Sequence, residues 1–250
     1  MPSQLLKLYG GGFSPSSISG LIGWYSSRFP TSMLVERASA TTVAASNGDA
    51  IGTWSDLSGN GRTLTASTDA KRPTLETNAI NGLPGVKFDG VDDGLLTSAN
   101  IGISGTAART MFTVAKEYNS STKYPAVASW GGSSANTAYY HQIFNGTIGV
   151  AIWTNASTTA ISAGTYTVIS SHLNSSNQPV GYRNGSTIGT IPQTANTTDT
   201  PFKVGYLDAA APQYLASTIV EVILFNRNLS TAERKYIERG LGMIYGITIS

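Results

Sequence analysis

The stretch "STIVEVILFN", residues 217–226, carries a single charge and reads as a strand. Successive side chains of a strand point to opposite sides. Ile219, Glu221 and Ile223 therefore share one face, and Val220, Val222 and Leu224 the other. Apolar residues on both faces describe a strand covered on one side and in part on both. Just after it, Ser230-Thr231-Ala232-Glu233 spells a capping box, in which the serine takes an orphan N–H and the glutamate reaches back. Tyr236, Ile237, Leu241, Ile244 and Tyr245 then follow a helical stripe, and Gly246 marks a stop. Gly240 and Gly242 weaken that helix, so packing must hold it.

Working back toward the N-terminus, the signals stay β. "RTMFTVAKEY" (109–118) alternates, with Phe112 and Val114 opposite Thr113 and Ala115. "QIFNGTIGVAIW" (142–153) and "VGYRNGSTIGTI" (180–191) each hold an Asn-Gly between apolar runs, the strongest short hairpin signal. "PFKVGYLD" (201–208) adds another strand. Many short strands and one terminal helix predict an all-β fold, a two-sheet antiparallel sandwich with a single C-terminal helix. No internal repeat or linker divides the body.

Over 250 residues only 12% are charged, about half the usual share, and 40% are hydrophobic. A sparse-charge surface rich in Ser, Thr, Asn and Gly is the style of extracellular β-proteins. The net charge is +2 and the basic residues are scattered, which argues against nucleic acid as a partner. The chain lacks cysteine, which excludes disulfides and thiolate-bound zinc. No apolar run approaches the roughly 20 residues that span a bilayer, so membrane insertion is not expected. "MPSQLLKLYGGGF" (1–13) has no basic start and is interrupted by Lys7, unlike a secretory signal. An extracellular-type surface without an export signal fits a virus particle, assembled in the host cytoplasm and used outside it.

Several segments carry a family resemblance. They are Trp54-Ser-Asp56-Leu-Ser-Gly-Asn-Gly61, Arg72-Pro73, Asn81-Gly82-Leu-Pro-Gly-Val-Lys-Phe88-Asp89-Gly90, Tyr182-Arg-Asn-Gly185, Val204-Gly205, Glu221 with Ile223 and Asn226, and Leu229-Ser-Thr-Ala-Glu233 through Leu241 to Gly246. In order and spacing, from about Ile18 to Ile247, the chain resembles the laminin-G-like branch of the concanavalin A-like jelly rolls, modules of bacterial surface and phage particle proteins. The resemblance implies two curved antiparallel sheets of roughly six or seven strands each on the jelly-roll plan. It places Trp24 and Trp54 in the core. It implies no one function, since the fold carries lectins, glucanases, adhesins and spacers.

Asp89, Asp92 and Asp93 crowd three carboxylates into the corner "FDGVDDG" (88–94). Asp-Gly pairs make turns, and that reading comes first. Calcium is the second, because some relatives bind it through aspartates and carbonyls, and these three are the metal candidates. No cofactor is otherwise expected. Catalysis comes last. The glucanases of this fold carry alternating carboxylates on one strand, and Glu36, Glu76, Glu117, Glu221, Glu233 and Glu238 all lack such neighbours. His141 and His172 lie in separate segments with no G-x-S-x-G beside them. A non-enzymatic protein is expected.

Glycan binding has a better claim. Trp130, Tyr139, Tyr140, His141, Asn145 and Trp153 lie in or near one hairpin region, and sugar sites pair aromatic platforms with amides. The same rings also fill sandwich cores. The first residues stand apart from the body. Residues 1–16 read as an arm on the Gly10-Gly11-Gly12 hinge, ahead of one domain over 17–250. Leu5, Leu6, Leu8, Tyr9 and Phe13 would dock on a neighbouring chain by strand addition, or fold back on their own sandwich. The expectation is a phage head or tail surface protein, a homo-oligomer attached to other virion proteins through this arm and aiding attachment to host glycans. The alternative is a carbohydrate-binding module or adhesin at a bacterial surface, with or without calcium.

Overall fold

The computed structural model describes residues 13–116, 124–144 and 146–250. In chain order the strands are β1 (Leu21–Ser26), β2 (Met33–Leu34), β3 (Thr53–Trp54), β4 (Leu64–Ala66), β5 (Thr74–Ile80), β6 (Leu83–Asp89) and β7 (Leu95–Asn100). They continue with β8 (Thr110–Lys116), β9 (Ala126–Gly131), β10 (Ala138–Phe144), β11 (Thr147–Ile152), β12 (Asn155–Ala160) and β13 (Tyr166–Leu173). The last are β14 (Pro179–Arg183), β15 (Ser186–Thr190), β16 (Pro201–Val204), β17 (Tyr206–Leu207), β18 (Gln213–Tyr214) and β19 (Ala216–Phe225), before helix α1 (Thr231–Tyr245).

The first sheet has eight strands in the order β15-β14-β13-β8-β19-β6-β5, with β1 also on β19. The second has nine, β12-β11-β10-β9-β16-β7-β4-β3-β2. Both exceed the six or seven expected, in part because two-residue strands such as β2 and β3 give no periodic signal. The predicted hairpins join β10 to β11 and β14 to β15. At the second, Asn184 and Gly185 both take positive φ, 47° and 87°, as a two-residue hairpin turn demands.

Strand β19 is the hub. It pairs with β8 along one edge, and with β6 and then β1 along the other. The register slips between Ile219 and Glu221, a bulge that breaks the simple alternation expected from the sequence. As a result Ile219, Val222 and Leu224 enter the core between the sheets, with Trp54, Phe88, Trp130 and Phe202. Val220, Ile223 and Phe225 face a second core under α1, built with Ile237, Leu241 and Tyr245. The first sheet is therefore covered on both sides.

Helix α1 starts at the predicted capping box and ends at Gly246, φ 66°. A Cβ on Gly240 would collide with the ring of Phe13, and one on Gly242 with Ile249. The glycines that weaken the helix are thus the ones that let the chain ends approach it. Phe13 packs on its own helix, its ring 5.8 Å from that of Tyr236, so at this residue the fold-back alternative holds. Leu5, Leu6, Leu8 and Tyr9 lie outside the described residues. Among the described residues, no helix is long and apolar enough to cross a membrane.

Glu221 is wholly buried at the bulge. It accepts from Trp24 Nε1 at 2.6 Å and Ser26 Oγ at 2.7 Å on β1, and from Tyr245 Oη at 2.6 Å on α1. Burial pushes its carboxyl up, while the Arg28 guanidinium and these donors act against that rise. Removing the carboxylate would strand three donors. Glu221→Ala is expected to lose about 3–5 kcal/mol of unfolding free energy. Glu221→Gln keeps an acceptor and loses about 1–2 kcal/mol. Urea titration of the two variants checks this, and equal losses would contradict it.

Candidate functional site

Strand β10 turns alternate residues in and out, and so divides the aromatic cluster singled out in the sequence. Tyr139 and His141 face the first sheet, and Tyr140 and Gln142 face outward. His141 bridges the layers, with Nδ1 2.9 Å from Thr113 Oγ1 on β8 and Nε2 2.7 Å from Ser171 Oγ on β13. Burial pushes the His141 pKa down to about 3, so the imidazole is neutral. Trp130 and Tyr139 stack in the core at 5.0 Å, with the Arg109 guanidinium 5.6 and 5.4 Å from their rings. Arg109 donates to the carbonyls of Gly105 and Ala107 and ties down that loop. Trp130, Tyr139 and His141, at most 1% exposed, are structural residues and cannot form a sugar platform from where they sit. Asn145 lies outside the described residues.

Tyr140 and Trp153 come together on the outer face of the second sheet. The small side chains of Ala126, Ala138 and Ala151 leave room there, and Leu207 packs beside them. The result is a cleft of about 400 Å³ lined by Tyr124, Tyr140, Gln142, Trp153, Asn155 and Gln213, with Thr154, Ala156 and Leu207. Leu207 and Gln213 arrive on the β17–β18 hairpin. The Tyr124 ring lies 4.1 Å from that of Phe144 at a tilt of 33°, and its backbone N–H donates to Gln213 Oε1.

Trp153 begins the two-residue turn from β11 to β12, at φ 35°. Such a φ is unusual for a bulky side chain, and tight hairpin turns ordinarily place Gly, Asn or Asp there. Tyr140 Oη donates to the Trp153 carbonyl at 3.2 Å. Burial pushes the Tyr140 phenol up to about 12, so it stays protonated as that donor. Tyr124, Gln142, Asn155 and Gln213 were not singled out in the sequence. The period of two along β10 pairs Gln142 with Tyr140, whereas Gln213 reaches the cleft on a two-residue strand that carries no pattern.

The aspartate corner is built as a turn. Asp89 Oδ1 accepts from the backbone N–H groups of Val91, Asp92 and Asp93 at 2.8, 3.3 and 3.4 Å. Asp93 Oδ2 accepts from Asp89 N at 2.9 Å. The three carboxylates lie within 4.8 Å of one another. Burial, with Asp89 nearby, pushes the Asp93 carboxyl up to about 7. These bonds account for the Asp89 and Asp93 carboxylates, Asp92 takes part through its backbone N–H, and none of the three lines the aromatic cleft.

No protein-family model matches the sequence, and neither does any curated protein. The fold does match solved structures. An arabinofuranosidase complexed with arabinofuranosyl-α-1,2-xylobiose is 14% identical at TM-score 0.69, covering 93% of this chain and 65% of that one. A GH54 α-L-arabinofuranosidase soaked with a cyclic sulfate inhibitor is 15% identical at TM-score 0.65, covering 93% and 66%. Trypanosoma rangeli sialidase in complex with sialic acid is 15% identical at TM-score 0.57, covering 90% and 34%. The chain thus spans about two thirds of the arabinofuranosidases and one third of the sialidase. At these identities the likeness establishes the fold, a sandwich of antiparallel sheets compatible with the jelly-roll plan. It does not single out the concanavalin A-like family. It corrects the expectation of a non-enzymatic phage head or tail protein, because these three structures are carbohydrate-active enzymes and none of them supports the virion reading.

Asp93 and His141 pull the pH dependence of stability in opposite directions. Folded Asp93 keeps its proton to about pH 7, and unfolded aspartate to about 3.9. Its contribution therefore falls as pH rises across that window. Folded His141 resists protonation to about pH 3, and unfolded histidine to about 6.5. Its contribution falls as pH drops. Asp93→Asn removes only the first effect. The melting-temperature difference, variant minus wild type, is expected to grow from pH 4 to pH 7.5 in the presence of a chelator. A difference that stays constant would contradict the shift.

Proposed function

We propose that the chain is a carbohydrate-recognition sandwich that holds a sugar in the cleft of Tyr124, Tyr140 and Trp153. The observation that carries this reading is Trp153, a bulky aromatic kept at φ 35° on the cleft rim, where a glycine would fit without strain. Strain of this kind persists where the side chain itself is needed. Aromatic rings offer apolar faces to the C–H surface of a sugar, and Gln142, Asn155 and Gln213 offer amides to its hydroxyls. The volume is that of a small-ligand site. The carbohydrate-active enzymes that share the fold support the same ligand class. No carboxylate is among the described lining residues.

Hydrolysis is the second reading, raised by those same enzymes. Glycosidases ordinarily act through two carboxylates. Glu76 and Asp89 share a pocket of about 180 Å³ on the helix side of the first sheet, with Lys87 and Lys116 beside them. Release of a chromogenic sugar by wild type, and not by Glu76→Gln, is the outcome this reading requires.

The binding reading is tested by Trp153→Gly, which relieves the turn and removes the ring. On a neutral glycan array followed by calorimetry, the variant is expected to lose at least tenfold in affinity with its circular dichroism unchanged. Wild-type binding is expected to survive a chelator. Equal affinity in the two proteins would remove Trp153, and the cleft with it, from the binding site.

A further inference from the structure

Gln142 sits next but one to Tyr140 on β10 and lines the cleft, yet only 3% of it is exposed. Its side-chain amide donates to and accepts from no described residue. Buried amides are nearly always satisfied, and two half-buried ones in this chain are bonded. Asn184 Oδ1 accepts from Thr167 Oγ1 and Val168 N, and Gln178 bonds Asn174 and the Pro192 carbonyl. An amide held in a cleft without a protein partner is poised for a ligand that both donates and accepts.

The charge around it points to the kind of ligand. None of the nine described lining residues is charged. The nearest charge along the hairpin strand is Asp208, after Leu207, and it is already 3.6 Å from Lys203 Nζ. A ligand carboxylate entering this cleft would lose its water and meet no cation among the described lining residues. A sugar hydroxyl would meet donors and acceptors of its own strength.

We propose that the cleft selects an uncharged sugar and that Gln142 reads two of its hydroxyls, accepting from one through Oε1 and donating to its neighbour through Nε2. This rests on the carbohydrate reading above. A site built to bond a hydroxyl discriminates strongly, because an unmatched ligand leaves its buried polar groups unpaired.

The test is calorimetry of wild type, Gln142→Leu and Trp153→Gly against lactose, cellotriose and xylotriose, and against 3′-sialyllactose and a glucuronic-acid-substituted xylotriose. The expected result is binding of at least one neutral sugar, with its acidic counterpart at least tenfold weaker. Gln142→Leu is expected to lose at least tenfold on the neutral sugar while its melting temperature holds, since the amide lines the cleft and bonds no described residue. An acidic sugar bound as tightly as its neutral counterpart would overturn the selection. Unchanged affinity in Gln142→Leu, with binding lost in Trp153→Gly, would overturn the role of Gln142 and leave the sugar site standing. If no sugar binds wild type, the carbohydrate reading fails and this inference with it.

Discussion

A buried carboxylate holds two elements to one strand. Glu221 sits where β19 bulges, and it takes the indole N–H of β1, a serine hydroxyl of β1 and the tyrosine hydroxyl at the end of α1. A carboxyl group buried this deeply is tolerated only where donors surround it. These donors come from residues 24, 26 and 245, so the carboxylate pins the start of the sandwich and its last helix to the same hub. The bulge has a second consequence. It turns Val222 and Leu224 into the inter-sheet core while Ile223 and Phe225 serve the helix, so a single strand feeds both hydrophobic layers.

The cleft depends on that frame through β8. Strand β8 lies along β19, and its Thr113 meets Nδ1 of His141, while Ser171 of β13 meets Nε2. With a neutral imidazole fixed between the layers, the facing of β10 is set. Tyr139 and His141 must point in, which leaves Tyr140 and Gln142 pointing out. A one-residue slip would exchange the two sets, burying the cleft and exposing the core. The pair of hydroxyls around His141 is thus a positioning device for residues on the opposite face of its strand.

Much of this was legible in the sequence, and the limits have physical causes. The helix announced itself through Ser230 and Glu233, because capping is local chemistry. The two Asn-Gly hairpins did so because a tight turn needs positive φ. At the corner, Asp89 and Asp93 were legible as turn residues because an aspartate side chain bonds the backbone N–H groups of its own turn. Relative to Ile219, the faces of β19 were misassigned from Glu221 onward, since a bulge leaves no mark in an apolar run. Tyr139, Tyr140 and His141 were grouped as neighbours in sequence, although a strand sends neighbours to opposite sides. Trp153 was noticed as an aromatic, but its turn was not, because Trp-Thr is not a turn pair by composition. Gln213 and Leu207 reach the cleft through a hairpin of two-residue strands that only tertiary structure defines.

The central claim is that a sugar rests against Trp153. Four tryptophans give four indole N–H signals in a nitrogen-15 correlation spectrum, and three of them, from Trp24, Trp54 and Trp130, belong to buried rings. Titration with a neutral oligosaccharide should shift the signal assigned to Trp153 progressively and to saturation, leaving the other three in place. A bound sugar that shifts none of the four, or shifts only a buried one, would contradict the account.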